Sequence, residues 1–136
     1  MEKMVRIKDE LISLGYEGWI HPHYELLVAG EMNTQIKRLE RGEGAALKIE
    51  NDYFKEHYRH ICESDAVLVV NDDKNGITNY IGGNVLIELG QAYVHDKKIF
   101  FLNGIPGNIP YLDEIVALQP ICLEGDLKNI HRFNTI

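Results

Sequence analysis

Two apolar runs of strand length, "DAVLVVN" at 65–71 and "KKIFFLN" at 97–103, bracket one helical stretch. Neither run alternates between apolar and polar residues. Each therefore reads as a strand covered on both faces, the pattern of a parallel sheet. Parallel neighbours need a crossover, and the amphipathic stretch from Tyr80 to Lys98 supplies a helix for it. Few folds other than a parallel α/β sheet with helices on both faces accommodate this order.

The rest of the chain extends the pattern. Met4, Ile7, Leu11 and Leu14 recur at helical spacing, and Gly15 follows as a stop signal. Tyr16 to His21 reads as a short strand ended by Pro22, and the polar stretch from Gly30 to Gly44 as a mobile loop. Ala46, Ile49, Tyr53, His57 and Ile61 make a second helical stripe within Ala45 to Glu63. Pro110 opens a short helix through Leu118, "PICLE" is a last strand, and Asp126 caps a final helix. With 136 residues and no internal repeat, the chain reads as one domain, 1–136. Four strands is a thin sheet, and an opening helix with no strand before it implies a βα unit that lacks its β.

Composition narrows the function. The net charge of -7 and the scattered basic residues argue against a nucleic-acid polymer as ligand. Even the cluster Lys37, Arg38, Arg41 is interrupted by Glu40 and Glu43. Cys62 and Cys122 lie apart in apolar segments, with no CxxC, and read as reduced core thiols. No signal peptide is visible, and no apolar run reaches the roughly 20 residues of a membrane span, so a cytoplasmic protein without a membrane partner is expected. His21 and His23 flank Pro22, and His57 and His60 form a helical pair. Neither set has the third ligand of a metal site, so no metal or other cofactor is expected. Tyr53, Tyr58 and Tyr93 fall at helical spacing and read as core.

Ligands of open α/β sheets sit beyond the carboxyl ends of the strands. The segment leaving the first run puts Asn71, Asp72, Asp73, Asn75, Gly82, Gly83 and Asn84 there. Turn chemistry alone accounts for such Asn-Asp-Gly density, so a binding role and a turn role both stand. Gly82-Gly83 before a helix allows close backbone approach to a ligand, with free N–H groups aimed at it. The pair forms neither GxGxxG nor a Walker loop. On a helical wheel Gly90 falls within the apolar arc, between Leu86 and Val94, where close helix-to-sheet packing explains it. Glu88 falls at the border, with Val85 and Ala92 on one side and Asn84, Gln91 and His95 on the other. Solvated glutamates commonly occupy that position.

The segments "SDAVLVVN", "IGGNVLIELGQAYVHDKKIFFLN" and "PYLDEIVALQP" together resemble the nucleoside 2-deoxyribosyltransferase-like superfamily. A small branch with "KNGI-NYIGGN---E-G-AY---KKI" is the most similar. The match runs well from Ile61 to Leu127, and loosely from Met4 to Ile20 through "LGYEGW". The resemblance implies a flavodoxin-like (Rossmann-like) parallel sheet, apparently without its first strand, and a homodimer or larger homo-oligomer. It implies cleavage of the N-glycosidic bond of a nucleoside or nucleoside 5′-monophosphate, or deoxyribosyl transfer from it. The nucleophile would be the glutamate of a "D-G---E-G-A" motif, which falls on Glu88, attacking the anomeric carbon as in retaining glycoside cleavage.

Two departures from the superfamily stand out. Gly82 occupies the position where active members often carry a sugar-binding aspartate, with Asn84 the nearest polar substitute and Asp72 or Asp73 possible replacements. The superfamily's first strand, with its Gly/Ser loop, would precede Met1, and an upstream coding stretch for it is expected; the alternative is a shortened, inactive relative. Asp65 is expected to be structural. Beside the enzyme stand two alternatives: a nucleotide-binding module without catalysis that holds its ligand through Gly82, Gly83 and Asn84, and a structural protein whose sheet a partner completes.

Overall fold

A computed structural model describes residues 2–20, 41–50 and 52–133. These divide into two compact units, Met1–His57 and Tyr58–Ile136.

In the first unit, helix α1 spans Glu2–Ser13. It ends as the sequence predicts. Gly15 takes φ +95°, the Gly15 N–H donates to the Ile12 carbonyl and the Tyr16 N–H reaches back to the Leu11 carbonyl. These paired bonds satisfy carbonyls that the last turn leaves open. Tyr16 to Ile20 form no strand, contrary to expectation. The segment instead runs beside α1, where a methyl group at Gly18 would stand 3.0 Å from the Lys8 side chain. His21, Pro22, His23, Lys37, Arg38 and the loop residues 30–40 lie outside the described residues.

The expected helix from Ala45 to Glu63 is two helices, α2 at Gly44–Glu50 and α3 at Tyr53–Glu63. Asp52 between them sits at φ +50°, a left-handed conformation that short polar side chains tolerate. The stripe breaks with it. Ile49 is 78% exposed, whereas Ile61 is buried.

The second unit takes the last turns of α3 and builds an α/β layer from β1 (Ala66–Val69), α4 (Gly83–Val94), β2 (Lys98–Phe101), α5 (Leu112–Ala117) and β3 (Ile121–Cys122). The sheet is parallel, in the order β1-β2-β3, with Val69 opposite Phe101 and Phe101 opposite Cys122. Three strands are present among the described residues, one fewer than expected. The core joins Ile61, Ile81, Leu89, Ala92, Ile99, Phe101, Ile109 and Ile115, with Val67, Val69, Val85 and Leu86 packed against it. A 3₁₀ helix at Leu127–Phe133 closes the chain. The Asp126 carboxylate accepts from the Lys128 N–H at its start, the expected cap.

Two expectations fail within this layer. β1 is half-buried along its length, not covered on all sides. Its far edge pairs with no strand among the described residues. Gly90 lies on the exposed side of α4, and a methyl group there would meet no atom within 4 Å, so close packing on the sheet does not explain it. Among the described residues, no helix is long and apolar enough to cross a membrane.

Candidate functional site

β1 and β2 each run on to an asparagine two residues past the strand, and the register that pairs Val69 with Phe101 brings Asn71 beside Asn103. The two side chains bind each other's backbone. The Asn103 N–H donates to Asn71 Oδ1 at 3.0 Å, and Asn103 Nδ2 donates to the Asn71 carbonyl at 3.0 Å. Asn71 Nδ2 donates to the Gly104 carbonyl at 2.8 Å. Asn71 is fully buried, so these bonds supply what water cannot. Its work is to tie the two strand ends together.

The segment leaving β1 is a small hairpin. Asn75 and Gly76 both have positive φ, 55° and 73°, and Lys74 and Ile77 exchange backbone hydrogen bonds across them. That is a tight turn of the type Asn-Gly favours. The Tyr80 N–H donates to the Asp72 carbonyl, and the Asn79 N–H to Asp73 Oδ1 at 2.9 Å. The loop after β2 braces the hairpin: the Gly107 N–H donates to the Thr78 carbonyl, and Asn79 Nδ2 to the Ile105 carbonyl. The Tyr111 hydroxyl donates to the Ile81 carbonyl. Burial, with the Tyr80 hydroxyl close by, pushes the Tyr111 hydroxyl above its ordinary value and keeps it a donor.

Beneath the hairpin lies a cavity of about 480 Å³, a volume that suits a small molecule. Val69 and Val70 from the end of β1, Asp72, Asp73, Lys74 and Tyr80 from the hairpin, and Gly82 to Val85 line it. Gly82 to Val85 are the start of α4. Gly82 caps the helix without a side-chain bond, and its carbonyl accepts the first helical bond from the Leu86 N–H. The N–H groups of Gly83, Asn84 and Val85 are left without helical partners, as at any helix start. The lining thus combines backbone donors of a helix start with two carboxylates. Donors suit a ring oxygen or an anionic group, and carboxylates suit hydroxyls.

Of the residues selected from the sequence, Asp72, Asp73, Gly82, Gly83 and Asn84 meet in this cavity, and Asn71, Asn75 and Glu88 do not line it. Glu88 follows Asn84 by one turn on the same side of α4, about 6 Å along the axis. It is half-buried, and its Oε1, like that of Gln91 nearby, is shielded from solvent. Lys74 and Tyr80 are the polar lining residues that the sequence reading missed. The Lys74 ammonium stands 6.0 Å from the centre of the Tyr80 ring, and a methyl group at Gly82 would touch that ring at 3.4 Å. The Asn75-Gly76 dipeptide was the available signal, because a tight hairpin there folds Lys74 and Tyr80 back toward the helix start. Among the described residues no three His, Cys, Asp or Glu side chains are grouped to hold a metal ion. Compared with known proteins, the chain matches no family model, no curated protein and no solved structure.

Proposed function

We propose that this protein cleaves the N-glycosidic bond of a nucleoside or nucleoside 5′-monophosphate, or transfers its deoxyribosyl group, with Glu88 as nucleophile. The observation that carries the proposal is the cavity at the carboxyl end of β1, lined both by Asp72 and Asp73 and by the start of a helix. In this reading the sheet is flavodoxin-like and β1, β2 and β3 are its last three strands. The open edge of β1 would then be the place of the superfamily's central strand. Asp72 and Asp73 hold the sugar hydroxyls, and the Gly83 and Asn84 amides hold the ring oxygen or a 5′-phosphate.

The chemistry balances on Glu88 alone. Its carboxylate attacks the anomeric carbon, the C–N bond breaks, and the departing base takes the bonding pair and a proton from solvent. The glycosyl ester that results is released by water or by a second base. Val85 and Ala92 keep water from one side of the carboxylate, and the helix start favours its ionised form.

A second reading, binding without turnover, draws support from the absence of Glu88 from the cavity lining. A panel of deoxynucleosides and their 5′-monophosphates, with free base measured by chromatography, separates the two. The enzyme releases base, and Glu88→Ala lowers the rate by at least about a hundredfold, more than 2.7 kcal/mol of transition-state stabilisation, with folding intact. Ligand-dependent thermal stabilisation without base release supports the binding module. Base release unaltered in Glu88→Ala rejects the nucleophile.

A further inference from the structure

Two polar residues that line the cavity, Lys74 and Tyr80, carry no role in the glycosidic reading. The hairpin fixes the backbone of both. Lys74 exchanges hydrogen bonds with Ile77, and the Tyr80 N–H donates to the Asp72 carbonyl at 3.1 Å. The Lys74 ammonium stands 6.0 Å from the centre of the Tyr80 ring. The ring in turn lies beside Gly82, where an added methyl group would meet its Cε1 at 3.4 Å. An aromatic ring and a cationic donor therefore stand together next to the start of α4.

We propose that Tyr80 stacks the base of a nucleoside held in this cavity and that Lys74 reads its edge, selecting a 6-oxopurine over adenine. A nucleoside presents chemically distinct parts to the lining. Its sugar hydroxyls suit the carboxylates of Asp72 and Asp73, and a 5′-phosphate suits the amides of the helix start. Its base is flat and aromatic, and Tyr80 is the only aromatic side chain among the described lining residues. A base stacked on that ring lies within reach of the Lys74 ammonium, the one cation among them.

The chemistry of the ammonium sets the selection. It carries three donors and no acceptor. Guanine and hypoxanthine offer it two neighbouring acceptors, O6 and N7. Adenine keeps N7 but replaces O6 with an amino group, a donor that the ammonium cannot bond. A phosphate is the poorer partner for Lys74, because Asp72 and Asp73 beside it in the chain repel a second anion. A neutral base meets no such repulsion. The inference rests on the reading of this cavity as a nucleoside site, and not on cleavage.

Deoxyinosine and deoxyadenosine, each as nucleoside and as 5′-monophosphate, test it by titration calorimetry. The full chain carrying Glu88→Ala is used, so that the compounds stay uncleaved. The deoxyinosine compounds are expected to bind about tenfold or more tighter, the scale of a contact to a base edge. Lys74→Met keeps the stem and removes the donors, and is expected to bring the ratio of affinities to about one. Lys74→Arg restores the donors and is expected to keep the preference. Tyr80→Leu is expected to weaken both purines alike, by about tenfold. A ratio measured within one variant is insensitive to partial misfolding. Base release by the wild-type chain is measured alongside. The preference without base release rejects cleavage and leaves the base selection standing. Base release with equal affinities, a preference that survives Lys74→Met, affinities unaltered in Tyr80→Leu, or binding of none of the four compounds overturns the proposal.

Discussion

β1 and β2 carry similar sequences, Ala-Val-Leu-Val and Lys-Ile-Phe-Phe, each running on through apolar residues to an asparagine. In the fold they differ sharply. Ile99, Phe100, Phe101 and Leu102 are all at most 4% exposed, whereas β1 is half-buried throughout. Among the described residues β2 has a strand on each side, and β1 has one on its β2 side only. Side-chain pattern reports whether the faces of a sheet are covered. It is silent about edges, which are a matter of backbone pairing. The lesson is that a continuous apolar run identifies a strand without telling a central strand from an edge strand.

The largest test of this difference is mutation across one register pair. Phe101→Ala should lower stability by about 3–5 kcal/mol, as for other fully buried aromatics. Val69→Ala, directly opposite, should cost about 1 kcal/mol because the site is already half-open to water. Equal losses by chemical denaturation would mean that the edge of β1 is covered in solution. Next in size is Asn71→Ala, expected to cost about 2–3 kcal/mol by stranding the Asn103 N–H and the Gly104 carbonyl. A double-mutant cycle with Asn103→Ala should show positive coupling, and additive losses would mean that the strand ends are held independently.

The smallest effect is the most direct probe of the edge. The Asp65 and Val69 carbonyls accept from β2, so alternation along the strand turns the N–H groups of Ala66 and Leu68 the other way. Their amides should exchange hydrogen about tenfold or more faster than those of Val67 and Val69. Matched protection by nuclear magnetic resonance would identify a strand bound along that edge.

Much of the secondary structure was legible because its signals are local. The two apolar runs, the glycine stop at Gly15, the helix beginning at Gly83 and the Asp126 cap each depend on a few neighbouring residues, and each is present. The failures share a different cause. Residues 45–63 keep helical spacing through Asp52, yet its left-handed backbone ends the first helix, and periodicity does not register a single dihedral. Gly90 falls among apolar neighbours on the wheel, but α4 is apolar on both sides, so the wheel could not say which side meets the sheet. Asn71 has the composition of a ligand-binding residue. Its side chain is instead consumed by Asn103 and Gly104, partners more than thirty positions away that no local motif connects to it.

The hairpin between β1 and α4 has a consequence for the rate at which the cavity exchanges its contents. It is pinned by its own Lys74–Ile77 turn, by the Asp72–Tyr80 and Asp73–Asn79 bonds, and by Gly107 and Ile105 from the neighbouring loop. A lining segment fastened at so many points is in place before the guest arrives. Occupancy then needs no ordering of this segment, and its entropy is already spent in the folded state. Association measured by stopped flow should be a single phase whose rate climbs linearly with ligand concentration, without the plateau that a slow closing step imposes.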